Sequence, residues 1–231
     1  MKLVKFVSNS GITSRRTAKD WILAGRVKVN GGTNLDPAFL LCTDDRVEVD
    51  GITVRHQEPR LWLYHKPAGL ITTHRDPQNR KTVFEELGLG HVISVGRLDL
   101  NTSGLLLITN VGSVARHFEL PKNGYERAYM VRAFGCGDLR SLEAASRNGI
   151  CVDGVKYAPF ALEVLACTGQ NARFYVKLCE GKNREIRRIF GHFGMQVNKL
   201  KRIQYGPYFL DDLALGSLKE VELCFDNIKE K

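Results

Sequence analysis

The sequence predicts an α+β protein of two units: a small unit of helices and short strands over residues 1–56, and a larger one over residues 61–225 built on a mixed, mostly antiparallel sheet, with a linker at 57–60. Three observations predict it. Apolar residues recur at helical spacing near the N-terminus and then give way to short alternating strands. The polar, proline-containing stretch Arg55-His56-Gln57-Glu58-Pro59-Arg60 interrupts the pattern. Beyond it, short apolar runs outnumber helical stretches: Leu61-Trp62-Leu63-Tyr64, Leu105-Leu106-Leu107-Ile108, Tyr129-Met130-Val131 and Phe174-Tyr175-Val176-Lys177-Leu178.

In the small unit, Leu3, Phe6 and Val7 share a helical face, and Gly11 can end that helix. Ser14 is placed to cap a second helix, Arg15 to Ala24, that stops at Gly25. Ala18, Trp21 and Ile22 fall on one side of it, while Arg15, Arg16 and Lys19 can share an exposed one. Val27-Lys28-Val29 alternates as a strand and runs into Asn30-Gly31, a tight-turn pair. Val47-Glu48-Val49 alternates again, and Asp50-Gly51 turns it into Ile52-Thr53-Val54.

The chain has 231 residues, 43% hydrophobic and 26% charged, enough to bury a core. No apolar run approaches the ~18–20 residues of a membrane span. Lys5 and the polar Ser8-Asn9-Ser10 break up the first apolar stretch, so neither a membrane partner nor a secretory signal is expected. The cysteines Cys42, Cys136, Cys151, Cys167, Cys179 and Cys224 form no C-x-x-C pair, and the histidines are scattered. No metal site or disulfide framework is therefore expected; reduced thiols and a cytoplasmic location are. The net charge of +9 is concentrated. Residues 1–30 carry Lys2, Lys5, Arg15, Arg16, Lys19, Arg26 and Lys28 against Asp20 alone. Residues 180–202 carry Lys182, Arg184, Arg187, Arg188, Lys199, Lys201 and Arg202 against Glu180 and Glu185. Two such clusters fit a long nucleic acid or two solvated helix faces, and composition leaves both open.

The segment from Val95 to Asn110 is the most informative. Leu105 to Ile108 reads as a buried strand, and Asp99 lies just before it among small and hydroxylated residues. Thr102 and Ser103 can hydrogen-bond the loop backbone, and Gly104 lets another backbone approach closely. A carboxylate in such a loop is either a turn-forming residue or one put to chemical use.

Gly96-Arg97-Leu98-Asp99 followed by Thr102-Ser103-Gly104-Leu105-Leu106 resembles the signature of pseudouridine synthases of the RsuA/RluB type. Three more stretches agree in order: Tyr64-His65-Lys66-Pro67-Ala68-Gly69; Tyr125-Glu126-Arg127-Ala128-Tyr129-Met130-Val131, with Arg127 where lysine is usual; and Glu180-Gly181-Lys182-Asn183-Arg184-Glu185-Ile186-Arg187-Arg188, with Glu185 in place of a common glutamine. The N-terminal unit resembles the alpha-L RNA-binding domain named after the fourth small-subunit ribosomal protein, on Ser14-Arg15-Arg16-Thr17-Ala18, Gly25 to Gly31 and Asp45 to Val49.

The resemblance implies a catalytic domain of pseudouridine synthase type that isomerises a uridine in ribosomal RNA, without a cofactor and as a monomer. Asp99 would act on the ribose, as nucleophile or as base. An ionised carboxylate in a dry pocket needs a nearby cation, and Arg187 matches the family arginine that pairs with it. Ile186 matches a pocket hydrophobe, and Tyr129 the tyrosine that stacks on the base. If Asn183 caps a helix from Arg184, then Ile186, Ile189, Phe190 and Phe193 share one face and Arg184, Arg187 and Arg188 the other. Arg184 and Arg188 would contact phosphates, with Lys182 and Arg97 also on the RNA. Lys66-Pro67 would shape the start of the domain. Arg15, Arg16, Lys19, Arg26 and Lys28 would bind phosphates from the N-terminal unit. Thr72 to Pro77 with Arg80, and Leu200 to Pro207, most resemble the branch acting on large-subunit rRNA. The small-subunit branch remains open, as does a non-catalytic RNA-binding protein on the same fold. An RNA methyltransferase would need a glycine motif between strand and helix, which neither Gly88/Gly90 nor Gly135-Cys136-Gly137 supplies.

Overall fold

The computed structural model describes residues 1–135 and 137–225; Cys136, counted above among the reduced thiols, lies outside them. The first helices are α1 (Leu3–Asn9) and α2 (Arg15–Leu23). Ser14 Oγ caps α2 by accepting from Thr17 N at 3.1 Å. Leu3, Val4, Val7, Ala18 and Ile22 pack on a four-stranded antiparallel sheet of β1 (Val27–Val29), β2 (Gly32–Thr33), β3 (Val47–Val49) and β4 (Ile52–Val54), in the order β2-β1-β3-β4. Both expected turns form. Asn30 and Gly31 have φ of 52° and 82°, and Asp50 and Gly51 have φ of 51° and 82°, the positive pairs that a two-residue hairpin turn demands.

The stretch 57–60 has no helix or strand, yet it is held at both ends. Gln57 N donates to Asn9 O at 3.2 Å. Asn110 donates to Gln57 Oε1 at 3.2 Å and to Glu58 O at 2.9 Å, and accepts from Arg60 N at 2.8 Å.

The larger unit runs β5 (Leu61–Lys66), α3 (Val83–Leu87), β6 (Ile93–Val95), β7 (Ser103–Thr109), α4 (Gly112–Glu119), β8 (Arg127–Phe134) and α5 (Leu139–Asn148). It continues with β9 (Ile150–Val152), β10 (Val155–Tyr157), β11 (Ala161–Thr168), β12 (Asn171–Leu178), α6 (Glu185–His192), β13 (Gln196–Tyr205), β14 (Tyr208–Phe209) and β15 (Leu218–Val221). The main sheet has the order β11-β12-β8-β13-β7-β5-β15, with β6 on β7 and β14 on β13, while β9 and β10 pair separately. All its pairings are antiparallel except β13 with β7.

That parallel pair divides the sheet into two halves with different cover. On the β5–β7 side both faces are covered. Leu61, Leu63, Leu105 and Leu107 pack with α4, and Trp62, Tyr64, Leu106 and Ile108 pack with α3. The Leu105–Ile108 run is therefore apolar throughout. On the β8–β12–β13 side, Val131, Phe174, Val176, Val197 and Leu200 pack against Leu142 of α5 and Ile186, Ile189 and Phe190 of α6.

The halves meet where Lys201 stands beside Ser103 and Arg202 beside Gly104. Gly104 has φ of +107°, and a Cβ there would lie 2.1 Å from Arg202 O and 2.6 Å from Arg202 N. The close backbone approach anticipated at Gly104 is thus made by β13. The buried Arg202 adds a bond from Nε to Leu105 O at 2.7 Å. Gly104→Ala should cost roughly 3 kcal/mol or more, because a β-carbon collides with backbone and the φ value is strained. Urea unfolding tests this; a loss below about 0.5 kcal/mol, the scatter of neutral surface changes, would show that the seam can open without penalty.

Candidate active site

Asp99 sits in the turn that leads into β7, and backbone contacts fix the turn. Thr102 N donates to Asp99 O at 3.0 Å, and Thr72 Oγ1 donates to Leu98 O at 3.0 Å. Beneath it lies the ammonium of Lys66, the last residue of β5 and fully buried. It donates to the carbonyls of Pro67 (3.0 Å), Asp99 (3.3 Å) and Thr102 (2.9 Å). Burial pushes Lys66 down to about 8, against the pull of the Asp99 charge. Lys66 therefore does more than shape the start of the domain: it holds the Asp99 turn by two of its carbonyls.

Two arginines face the carboxylate. Arg184 Nη1 donates to Asp99 Oδ2 at 3.2 Å. Arg187 Nε lies 3.9 Å from the same oxygen. Arg187 is nearly buried and fixed by its other nitrogens: Nη1 donates to Val197 O at 2.6 Å and Nη2 to Asn101 O at 2.9 Å. Its Nε makes no hydrogen bond of its own. Burial lowers the Arg187 guanidinium and Arg184 adds to this, while Asp99 opposes it. The family resemblance pairs Asp99 with Arg187 and leaves Arg184 to phosphates. In the structure both reach Asp99, and Arg184 is the nearer.

The start of α6 also departs from expectation. Asn183 is not the cap. Arg184 is the flanking residue, in the left-handed region with φ of 51°, and its side chain makes no capping bond. The cap-like contact comes instead from Glu185, whose Oε2 accepts from Lys182 N at 3.0 Å. Glu185 is buried, which pushes its carboxyl up to about 7 against the Lys182 backbone N–H, and the Glu180 carboxylate adds to the rise. It therefore titrates around neutrality rather than in the ordinary carboxylate range.

A cleft of about 1030 Å³ opens beside this cluster, lined by Asn101, Ser103, Arg184, Arg187 and Lys199 among others. Tyr129 and Ile186 do not line it; both are buried in the core beneath α6. Tyr129 stands in register with Arg202, and Arg202 with Gly104. Arg97 and Arg188 are exposed. Lys182 is not brought into the cluster: its amine donates to Lys156 O at 2.6 Å and pairs with Glu180 at 2.7 Å. In the N-terminal unit Arg15, Arg16, Lys19 and Lys28 are exposed. Arg26 is engaged instead, ion-paired with Asp50 and stacked 4.6 Å from the Trp21 ring centre. Among the described residues no group of three or more His, Cys, Asp or Glu side chains could hold a metal ion, and no helix is long and apolar enough to cross a membrane.

Glu185 gives a pH prediction. Its folded value of about 7 lies above the ordinary 4.5, so the folded protein binds more protons between these values. Its burden on stability is absent below about pH 4.5, grows as pH rises, and is complete above about 7. Glu185→Gln keeps the acceptor for Lys182 N without a charge. It should raise stability at pH 8 by roughly 1–3 kcal/mol, with the gain shrinking towards pH 5. Denaturant melts at both pH values test this, and a pH-independent difference would mean that Glu185 is ionised throughout.

The RNA pseudouridylate synthase family matches residues 60–192, and the S4 domain matches residues 1–55. An uncharacterized RNA pseudouridine synthase of Rickettsia felis is 52% identical over 222 residues, covering 95% of this chain and 96% of the relative. The ribosomal large subunit pseudouridine synthase B of Vibrio cholerae is 40% identical, covering 96% of this chain and 72% of that protein. A solved pseudouridylate synthase superposes with a TM-score of 0.67 at 25% identity, covering 96% of each chain. With its α+β architecture and these matches, the chain belongs to the RNA pseudouridylate synthase family and carries an S4 domain at its N-terminal end.

Proposed function

We propose that this pseudouridine synthase isomerises a uridine in large-subunit ribosomal RNA, with Asp99 as the acting carboxylate. The observation that carries the reading is the Asp99–Arg184–Arg187 cluster at the edge of a cleft, on a turn pinned by Lys66. The choice of RNA rests on the resemblance to the relative named for the large ribosomal subunit.

In the isomerisation the C1′–N1 bond breaks and a C1′–C5 bond forms. A proton leaves C5 and N1 gains one, so the atoms balance without a cofactor. Asp99 acts as an anion by either route, whether it attacks C1′ or removes a ribose proton. Arg184 and Arg187 stand beside that carboxylate, at 3.2 and 3.9 Å, as its cationic neighbours. Arg187 is held by two carbonyls before substrate arrives, so its contribution needs no rearrangement. Arg184 is half exposed and free to exchange Asp99 for a phosphate as RNA enters. Reaching a ribose in folded RNA requires the nucleotide to leave its stack, at about a few kcal/mol. Tyr129 is assigned to stacking on that base and Ile186 to its pocket by the resemblance to the family's motifs alone; both are buried in the core, so they reach a base only if the cleft opens towards them. Arg97 and Arg188 contact the RNA around it, and Arg15, Arg16, Lys19 and Lys28 bind phosphates from the S4 domain. Lys182 and Arg26, already paired with carboxylates, contribute less.

Asp99→Asn preserves the shape and removes the anion. RNA binding should stay near normal and isomerisation should fall below detection. The experiment maps pseudouridines in ribosomal RNA from cells lacking the protein, complemented with the wild-type or Asp99→Asn chain. Restoration of a large-subunit site by the Asn variant would overturn the role of Asp99. Loss confined to small-subunit rRNA would overturn the substrate assignment.

A further inference from the structure

We infer that the sheet face turned away from α5 and α6 is a track for the backbone of the substrate RNA, with Arg132, Arg173 and Lys199 as its phosphate contacts. This rests on an RNA substrate, as proposed above, and goes beyond it by assigning a surface and its residues.

The argument starts from strand alternation. On β8, β12 and β13 the side chains of Val131, Ala133, Ala172, Phe174, Val197 and Leu200 point into the core. The residues between them point to the opposite face. Register then decides which of these are neighbours. Arg173 pairs with Arg132, and Arg132 pairs with Lys199. Three strands thus place three basic side chains in one row, all exposed. In the next row Tyr175 pairs with Met130, and Met130 with Lys201.

Like charges directly opposite one another destabilise a sheet. Among the described residues no carboxylate pairs with Arg132, Arg173, Lys199 or Lys201. The acids nearby are otherwise placed: Glu126 is taken by Lys177 at 3.0 Å, and Glu163 stands on the edge strand opposite Tyr175. A row of unneutralised charges on an open face fits a repeating anion. At ~4.8 Å between strands the row spans about 10 Å, enough for successive phosphates of one strand. Tyr175, half-buried in the adjacent row, offers a flat ring for a base. The row is also continuous with the site, because Lys199 lines the cleft together with Arg184 and Arg187. An RNA strand leaving the cleft past Lys199 meets Arg132 and then Arg173.

The test measures binding of a transcribed, unmodified domain of large-subunit ribosomal RNA across a salt series, using full-length protein. The Arg132→Ala/Arg173→Ala variant should bind more weakly, and its log–log salt slope should flatten by about 1.4, or ~0.7 for each lost phosphate contact. KM should rise while kcat at saturating RNA stays unchanged. Arg132→Lys/Arg173→Lys should restore the slope. Arg140→Ala/Arg147→Ala removes the same charge from α5 and should leave the slope as it is. An unchanged slope in the first variant, or an equal change in the α5 control, would overturn the track. The slopes are read without turnover, so a wild-type protein that binds but fails to isomerise this RNA would count against the proposed substrate and not against the track.

Discussion

Strands β7 and β13 can lie side by side only because residue 104 has no side chain. Its missing Cβ would occupy the space of the Arg202 backbone. The halves of the large sheet carry separate apolar cover, and this short parallel contact is where they join. Arg202 strengthens the junction through Leu105 O, and the Arg127 and Arg202 guanidinium groups lie 4.6 and 4.9 Å from the centre of the Tyr205 ring. The carboxylate and its cations come from opposite sides of that junction. Asp99 leads into β7, whereas Arg184 and Arg187 belong to α6 and its approach, packed on the β13 half. The site therefore exists as an ion cluster only once the halves have met.

The buried cations near the junction share a mode of satisfaction. Lys66 is bonded to three carbonyls, Arg187 to two, and Arg127 to those of Cys179 and Glu180 as well as to Tyr205 Oη. Carbonyls supply hydrogen bonds without cancelling charge. Pairing each cation with its own carboxylate would have lowered the desolvation burden and also neutralised the field. Glu185, buried close to the same helix start, has its carboxyl pushed up to about 7 and so takes less from that field than an ordinary carboxylate would. Asp99 is thus the carboxylate that the positive field of α6 meets.

Much of this was legible in the sequence because it is local. The α2 cap at Ser14, the two hairpin turns and the buried strand after Asp99 follow from spacing and turn chemistry. Gly104 was readable as a point of close approach, although not which strand would approach. The start of α6 was misread because Asn183 has the side chain of a cap, while the structure gives that place to Arg184 in a left-handed conformation. A non-glycine residue adopts that conformation at a cost of roughly 1–2 kcal/mol, which no propensity pattern foretells. Lys66 reads in sequence only as part of the Lys66-Pro67 pair that shapes the start of the domain. Its burial depends on a turn more than thirty residues away. The Arg132–Arg173–Lys199 row is invisible in sequence, since strand register alone creates it.

The central claim is that Asp99 and its buried cation are coupled across the junction. A double-mutant cycle on folding free energy, with Asp99→Asn, Arg187→Met and the pair, measures that coupling directly. Carbonyls orphaned by Arg187→Met appear in both arms of the cycle and cancel. A coupling of about 1 kcal/mol or more is expected, as for residues sharing one ionic network. Effects that add to within about 0.3–0.5 kcal/mol, as independent sites do, would contradict it.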